Sequence, residues 1–297
     1  ICKIIIVLLL CLKDRMSYKN LPYLFSFVMI LQTLFFCKKP SNNVDDDSNI
    51  VFYLGADLSY VNEMEDCGAV YKNSDNQESD VFDIFETAGA NLIRVRLWHN
   101  PTWTNYSNLE DVKKTIRRAK DNNMSVLLDF HYSDTWADPT KQEIPFAWEI
   151  NLNNDSLLGD MMYDYTYSTL TTLDSLELSP EIVQIGNEIN PMILQKGNLQ
   201  WPIDWDRNSL LLNKGIEAVR NFSEETQNNI EIMLHIAQPE NGIWWFDQAS
   251  NNNVVDYDWI GLSYYPQWSQ YNLSNLEPVL TNLRTTYNKK LMIVETA

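Results

Sequence analysis

The chain has 297 residues, of which 45% are hydrophobic and 21% are charged. This composition provides enough apolar material for a large core and excludes a disordered chain. The formal net charge is −18 at pH 7, and a protein this acidic is not expected to bind nucleic acid or an anionic membrane surface, because both would repel it.

The first 37 residues have the pattern of a secretion leader. Met16 is the expected start of translation, with residues 1–15 untranslated, and residues 21–36 form an apolar run. That run is at the short end of the about 17 to 25 residues that a membrane span needs, which favours a signal peptide. Cys37 follows directly, as in bacterial lipoprotein signals, but bulky residues precede it, so lipidation and plain cleavage both stay open. Either outcome predicts an extracytoplasmic bacterial protein, secreted or held at the cell surface by an N-terminal lipid anchor.

A polar segment separates this leader from the rest of the chain. Residues 38–49 are rich in Asn, Asp and Ser and predict a tether, followed by one folded domain over residues 50–297. Cys67 would be the only cysteine in that domain, so the sequence predicts neither a disulfide nor a cysteine-based metal site.

Strand-like and helix-like segments alternate from the start of the domain to its end. The predicted strands are residues 51–57, 91–98, 125–131, 181–188, 229–237, 255–265 and 290–296. The predicted helices are residues 79–90, 109–124, 155–177, 206–225, 243–250 and 273–287. Apolar strands that alternate with amphipathic helices indicate an α/β protein with a parallel sheet covered by helices. Seven βα units favour a (β/α)8 TIM barrel that lacks its last unit at the C-terminus, with a doubly wound open sheet as the alternative.

Polar side chains end all seven predicted strands. They are Asp57, Arg94 with Arg96, His131, Asn187 with Glu188, His235, Tyr264 with Tyr265, and Glu295. In a barrel, the working residues lie at the C-terminal ends of the strands. The two arginines face one side of their strand, and a buried arginine needs an anion, which a neighbouring strand end would supply. The histidines lack the spacing of a zinc site, so no metal is expected among these residues.

Two of these strand ends carry glutamates that are candidates for catalysis. Glu188 ends the fourth strand and Glu295 the seventh, so both would lie at one barrel mouth. Carboxyl groups about 5 to 5.5 Å apart would make a retaining glycosidase, whereas about 6.5 to 9.5 Å would leave room for an inverting water. This distance cannot be read from the sequence. The 10 tryptophans and 15 tyrosines fit a sugar ligand, whose flat C–H faces stack on aromatic rings.

Several segments of the domain match the motifs of one enzyme family. They are GADLSYVNEMEDCGAVY, NLIRVRLWHNP, LLDFHYSDTWADPTKQEIPFAW, VQIGNEIN, MLHIAQ, IGLSYYPQW and IVETA. The Asn-Glu pair after the fourth strand and the glutamate of the seventh resemble the retaining (β/α)8 glycosidases. The HYSDTWADP block is the most specific, and the set as a whole resembles glycoside hydrolase family 53, the arabinogalactan endo-β-1,4-galactanases.

The resemblance implies a role for each matched residue. Glu188 would be the general acid/base and Glu295 the nucleophile, with Tyr264 orienting the nucleophile. Asn187 would bond the 2-hydroxyl of the sugar in the −1 subsite. The remaining substrate-binding residues that the resemblance implies are Arg94 or Arg96, which would keep the nucleophile ionised, His131 and His235, which would line the −1 subsite, and Asp57, Asp134, Trp136, Asp138 and Trp268.

The activity implied by the resemblance is retaining, endo-acting cleavage of β-1,4-galactosidic bonds in the (arabino)galactan side chains of pectin. Two alternatives stay open: another retaining endo-β-glycanase of the same clan, acting on mannan, xylan or β-glucan, or a non-catalytic surface lipoprotein that binds glycans. No cofactor is expected apart from calcium in a C-terminal loop that the family implies and this sequence lacks. We expect a monomer with the polysaccharide as its partner.

Overall fold

The computed structural model describes residues 52–296 of the protein. The predicted leader over residues 1–37, including Cys37, and the predicted tether over residues 38–49 lie outside the described residues. In the part that is described, no helix has the length and hydropathy that crossing a membrane requires.

Seven parallel strands form one sheet in the order of the chain, β1 to β7. They are β1 Gly55–Asp57, β2 Leu92–Leu97, β3 Ser125–Phe130, β4 Ile182–Ile185, β5 Glu231–Ala237, β6 Trp259–Ser263 and β7 Lys290–Glu295. A doubly wound sheet would reverse its strand order part-way, so that alternative is wrong. The predicted barrel order is confirmed, and among the described residues β1 and β7 form the two edges of the sheet.

Helices connect the strands and cover the outside of the sheet. They are α1 Val61–Asp66, α2 Val81–Thr87, α3 Leu109–Asp121, a 3-10 helix Phe146–Asn151, α4 Asp155–Asp174, α5 Trp205–Thr226, α6 Pro239–Asn251 and α7 Leu273–Tyr287. The short α1 and the 3-10 helix lie in the loops after β1 and β3 and were not predicted. Helix α6 starts four residues earlier than predicted, because Pro239 fits the first turn of a helix.

The helix starts are encoded by local capping residues. In α2 to α5 and in α7, an Asp or Asn side chain accepts a hydrogen bond from a backbone N–H of the first turn. The five capping residues are Asp80, Asn108, Asn154, Asp204 and Asn272. Each such cap stabilises its helix by about 1 kcal/mol, which fixes where the chain leaves the loops at the barrel mouth.

The interior of the barrel is polar near the C-terminal ends of the strands. Arg94, Asp129, Gln184 and His235 project from β2, β3, β4 and β5, and all four are buried. Gln184 joins them: it accepts from Arg94 Nε at 3.3 Å, donates to Asp129 Oδ1 at 2.7 Å and lies 3.1 Å from His235 Nδ1. These side chains form a hydrogen-bonded floor beneath the mouth, on which the candidate site lies.

Candidate active site

Arg94 is the centre of the ionic network at the barrel mouth. Its Nη1 lies 2.9 Å from Asp57 Oδ2 and 3.1 Å from Glu295 Oε1, and its Nη2 lies 2.8 Å from Asp129 Oδ2 and 2.7 Å from Asn187 Oδ1. In a flat sheet β2 and β7 would lie five strand spacings apart, about 24 Å, so the contact with Glu295 shows that the sheet curls. Burial acts to lower the pKa of Arg94, but the carboxylates of Asp129, Glu295 and Asp57 raise it overall.

Glu188 lies opposite this network and has a different environment. It follows β4 in a left-handed conformation with a φ of 45°, which is uncommon for a residue other than glycine. Its Oε1 accepts a hydrogen bond from Ser263 Oγ at 2.6 Å, and within residues 52–296 it forms no ion pair. Burial raises the pKa of Glu188 to about 8, the charge of Glu295 acts in the same direction, and Ser263 and Arg94 oppose it. Glu188 is therefore protonated at neutral pH.

The two glutamates are close enough to act on one bond. Oxygen atoms of Glu188 and Glu295 lie within 4.8 Å of each other, and a ring nitrogen of His235 lies in the same cluster. This separation is nearer to the about 5 to 5.5 Å between the carboxyl groups of retaining glycosidases than to the about 6.5 to 9.5 Å of inverting ones. Both ring nitrogens of His235 lie within hydrogen-bond distance of protein groups, so this ring takes part in the hydrogen bonds of the cluster.

Glu295 is held by two side chains, one of which differs from the expectation. Tyr265 Oη donates to Glu295 Oε2 at 2.9 Å, and Arg94 contacts Oε1. Tyr264, the residue expected to orient Glu295, donates its hydroxyl to Tyr271 O at 3.0 Å. Side chains alternate across a strand, so Tyr265 points to the same side as Ser263 while Tyr264 points to the other. Burial and the charge of Glu295 raise the pKa of Tyr265, which keeps its hydroxyl a donor.

The two predicted subsite histidines lie below the mouth. His131 Nε2 is 3.0 Å from Asp129 Oδ2, and its Nδ1 accepts from Ala137 N at 3.2 Å. His235 is fully buried, with its Nε2 2.9 Å from Ser263 Oγ. Burial, followed by the charge of Arg94, holds the pKa of His235 well below its usual range. Both rings therefore support neighbouring side chains, and His235 is neutral.

Asn187 keeps one hydrogen available at the mouth. Its Nδ2 donates one hydrogen bond to Ala137 O at 2.8 Å, and its Oδ1 accepts from Arg94. An amide nitrogen carries two hydrogens, so a second remains for a ligand. The contact with Arg94 also determines which end of the amide is the oxygen.

Arg96 has a different role from Arg94. Its guanidinium carbon lies 4.7, 4.3 and 4.1 Å from the ring centres of Tyr60, Trp98 and Trp136, and it donates to Ser107 Oγ. The sequence left open whether Arg94 or Arg96 contacts Glu295. In the structure this residue is Arg94. Within residues 52–296 Arg96 forms no direct ion pair, and aromatic faces together with the more distant carboxylate of Asp57 compensate its charge. Burial lowers the pKa of Arg96.

Comparison with known proteins agrees with this geometry. The model of glycosyl hydrolase family 53 matches residues 53–297. The chain belongs to glycosyl hydrolase family 53. It is 55% identical over 251 residues to an arabinogalactan endo-β-1,4-galactanase of Cellvibrio japonicus, covering 84% of this chain and 66% of the relative. It is 38% identical over 255 residues to an endo-β-1,4-galactanase of Bacillus subtilis, covering 83% of this chain and 56% of the relative.

Solved structures of the family share the fold. One of two fungal β-1,4-galactanases superposes with a TM-score of 0.74 at 32% identity, covering 82% of this chain and 73% of that one. The catalytic domain of an Ignisphaera aggregans family 53 protein gives a TM-score of 0.71 at 32% identity, covering 80% and 66%. These likenesses confirm the predicted TIM barrel. The chain spans about two thirds or less of the length of the two relatives from Cellvibrio and Bacillus.

The remaining predicted residues of this family 53 chain divide into two groups. Asp134 and Asp138 hold loops in place: Asp134 accepts from the backbone N–H of Asn100 in the loop after β2 and of Phe146 in the loop after β3, and Asp138 accepts from Thr140. Trp136 and Trp268 are partly exposed, with 39% and 64% of their surfaces accessible, and Arg96 covers one face of Trp136. They lie beside site residues, since their ring centres are 5.7 Å from His131 and 5.1 Å from Tyr265 respectively.

Three further side chains belong to the site and were not singled out from the sequence. Asp129 pairs with Arg94, Gln184 joins the buried floor, and Ser263 bonds Glu188. Each was visible as a polar residue within an apolar strand, which is a signal for an interior contact in a barrel. The strand-end rule overlooked Asp129 and Gln184 because they lie before the last residue of their strands.

Proposed function

We propose that this family 53 chain is a retaining, endo-acting glycoside hydrolase that cleaves β-1,4-galactosidic bonds in the (arabino)galactan side chains of pectin. The observation that carries the proposal is the pair Glu188 and Glu295, whose carboxyl oxygens lie within 4.8 Å of each other in unequal surroundings. Glu188 holds a proton because its pKa is raised to about 8 by burial and then by Glu295. Glu295 lies against a guanidinium and a phenol.

In the first half-reaction Glu295 attacks the anomeric carbon while Glu188 gives its proton to the leaving glycosidic oxygen. The products are a free chain end and a glycosyl ester on Glu295. Esterification removes the charge of Glu295, so one cause of the raised pKa of Glu188 disappears. Glu188 then takes a proton from water, the water oxygen attacks the anomeric carbon, and the ester bond to Glu295 breaks. Both glutamates return to their starting states.

Neighbouring groups support these steps. Arg94 and Tyr265 each contact one oxygen of Glu295, which aims the carboxylate and compensates its charge. The spare hydrogen of Asn187 is available to the 2-hydroxyl, a contact that strengthens as the transition state forms. The exposed faces of Trp136 and Trp268 are suited to stack on sugar rings beyond the cleaved bond.

The choice of galactan is supported by the similarity to the galactanases of Cellvibrio and Bacillus. Cleavage of mannan, xylan or β-glucan is the competing possibility, and assays on the purified polymers separate the four substrates. The paired glutamates argue against a binding protein without catalysis. The carboxyl of Glu188 is buried beside Glu295, which raises the pKa of Glu188. Such a perturbed pair is typical of catalytic sites.

Incubation of the protein with linear β-1,4-galactan tests the proposal. We expect reducing ends to appear within a mixture of oligosaccharides, with the β configuration in the first product seen by NMR. Activity is expected to fall on the alkaline side with a midpoint near pH 8, because Glu188 loses its proton there. Equal or faster cleavage of mannan, xylan or β-glucan would contradict the proposed substrate, and an α first product would contradict retention.

Variants assign the roles of the two glutamates. Glu295→Ala should abolish turnover, whereas Glu188→Ala should slow cleavage of galactan but retain reaction of an aryl galactoside whose leaving group needs no proton. Glu224→Ala, at an exposed helical position, is the matched control and should match the wild type. Galactan turnover unchanged in Glu188→Ala and Glu295→Ala would refute the assignment.

We further propose that the protein works outside the cytoplasm, secreted or anchored through Cys37, as a monomer whose residues 1–297 require no cofactor. The support is the sequence pattern of the leader. Mass spectrometry of the mature N-terminus distinguishes a lipidated Cys37 from plain cleavage. Activity that disappears with a chelator and returns with calcium would contradict the absence of a cofactor.

A further inference from the structure

The hydrogen bonds of Glu188 lead away from the cleft through two buried side chains. Ser263 Oγ donates to Glu188 Oε1 at 2.6 Å, and His235 Nε2 lies 2.9 Å from the same hydroxyl. Ser263 and His235 are both fully buried. A serine hydroxyl has one hydrogen, so when Ser263 gives it to Glu188, its oxygen is left to accept a hydrogen bond from His235 Nε2–H.

The surroundings of the other ring nitrogen agree with this assignment. A neutral histidine carries one ring hydrogen, and His235 Nδ1 faces two N–H groups, Gln184 Nε2 at 3.1 Å and Glu188 N at 3.4 Å. Asn187 Oδ1 lies 3.0 Å from Nδ1, but its two lone pairs already have donors, Arg94 Nη2 at 2.7 Å and Gln184 Nε2 at 3.3 Å. Nδ1 is therefore the acceptor, and the ring hydrogen is on Nε2.

We propose that His235 and Ser263 are positioning residues that form a donor chain, from His235 Nε2–H to Ser263 Oγ–H to Glu188 Oε1, and that this chain serves both half-reactions. While Glu188 is the acid, the donor on Oε1 confines the acidic proton to Oε2. After that proton has left, the chain stabilises the carboxylate that acts as base. The transferred proton belongs to Glu188 alone, so His235 and Ser263 keep theirs throughout. This inference rests on the proposed function, which assigns Glu188 its two roles.

Other charged and titratable groups face the chain from the surrounding elements. They are Arg94 from β2, Asp129 and His131 at the end of β3, Asp138 from the loop after β3, Tyr265 after β6 and Glu295 from β7. Burial has the largest effect on the pKa of Glu188 and raises it. Within residues 52–296 Ser263 is the donor to Glu188 Oε1, so removing its hydroxyl removes that bond and leaves the other groups in place.

The pH dependence of a Ser263→Ala variant tests the proposal. We expect the alkaline limb of kcat/KM on β-1,4-galactan to move to higher pH by about 1 unit, because the carboxylate loses a hydrogen bond that favours its charged form. Ser223→Ala is the control, since the Ser223 hydroxyl is buried without a hydrogen-bond partner in the described part of the chain. A limb that stays in place overturns the proposal. A limb that moves to lower pH also overturns it, because Ser263 would then accept from protonated Glu188.

Nitrogen NMR of the wild-type protein gives a second test that does not depend on turnover. The chain has three histidines, and loss of one set of signals in His235→Gln assigns the ring. We expect a neutral ring with hydrogen on Nε2 and a lone pair on Nδ1. A hydrogen on Nδ1 overturns the proposal. Failure of the proposed function is distinguishable, because it would appear as a wild-type protein that does not cleave galactan, whatever the tautomer of His235.

Discussion

Replacing Arg94 with alanine is expected to destabilise the protein far more than the loss of a surface ion pair. Arg94 is 6% exposed, and its guanidinium lies 2.8 to 3.1 Å from Asp57, Asp129 and Glu295. Its removal leaves these carboxylates without their cation, and Asp129 is fully buried. An uncompensated buried charge costs about 3 to 5 kcal/mol. For a domain of this size, that corresponds to a fall in Tm of about 6 to 20 °C.

Thermal unfolding followed by circular dichroism at neutral pH measures this effect. Arg220→Ala is the matched control, because Arg220 contacts Asp256 and Asp258 at a partly exposed position. Such a pair contributes about 0 to 1 kcal/mol, or at most about 4 °C in Tm. If Arg94→Ala melts within the range of the control, the carboxylates are not compensated by Arg94, and the reasoning is refuted.

The difference in Tm between wild type and Arg94→Ala should also depend on pH, in a direction that follows from the pKa of Asp129. Burial acts to raise the pKa of Asp129, but Arg94 and then His131 lower it overall in the wild type. A carboxyl group whose pKa is lower in the folded than in the unfolded state stabilises the fold at pH values above its unfolded-state pKa. This stabilisation is lost as the pH falls through the folded-state pKa. Without Arg94, burial dominates and Asp129 is protonated more easily. The difference in Tm between wild type and Arg94→Ala should therefore be largest at neutral pH and shrink as pH falls.

Three further substitutions test single contacts of the site. Tyr265→Phe removes a hydroxyl that donates to the proposed nucleophile at 2.9 Å, so kcat/KM on galactan should fall about 10- to 150-fold; an unchanged value would contradict the contact. Gly186→Ala combines a φ of +83° with a Cβ 2.4 Å from Ile189 Cγ2, and it should lower Tm more than Gly68→Ala, which has a φ of +87° and open space; equal effects would exclude the clash. Trp136→Ala should raise KM for galactan about 5- to 10-fold with a smaller effect on kcat, as expected for a lost stacking face; a change in kcat alone would argue against stacking.

The order and type of the elements could be predicted because each strand is buried on both faces. Strands β2, β4 and β6 are buried along their whole length and are mostly apolar, which is typical of parallel strands. The strand ends were less predictable. β4 stops at Ile185, three residues before the predicted end, because Gly186 and Glu188 take positive φ values of 83° and 45°. Apolar and polar composition carries no information about such a turn.

The candidate site could be located from the sequence, but the direction of its side chains could not. Polar strand ends indicated Glu188, Glu295 and Arg94 correctly as neighbours. The choice between Tyr264 and Tyr265 depended on the register beside β7. Between β6 and β7 the pairing is irregular, and this type of irregularity re-aims side chains without a mark in the residue pattern.

Arg96 shows a limit of reasoning from residue types. A buried cation was expected to need a carboxylate, and the nearest candidate strand ends offered several. The structure instead surrounds the guanidinium with Tyr60, Trp98 and Trp136. These three residues come from the segments after β1, β2 and β3, so their convergence is a property of the fold that no local pattern could indicate.

The charges at the mouth explain why Glu188, rather than Glu295, holds the proton. One guanidinium, that of Arg94, contacts Glu295, Asp57 and Asp129 at 2.8 to 3.1 Å. After β4 the guanidinium donates to the amide oxygen of Asn187 and not to Glu188. Glu188 therefore has the hydroxyl of Ser263 as its partner and forms no ion pair among the described residues. Burial and then the charge of Glu295 raise the pKa of Glu188 to about 8. The proposed division into acid and nucleophile thus follows from which strands the arginine of β2 contacts, and a cation moved from Glu295 to Glu188 would reverse it.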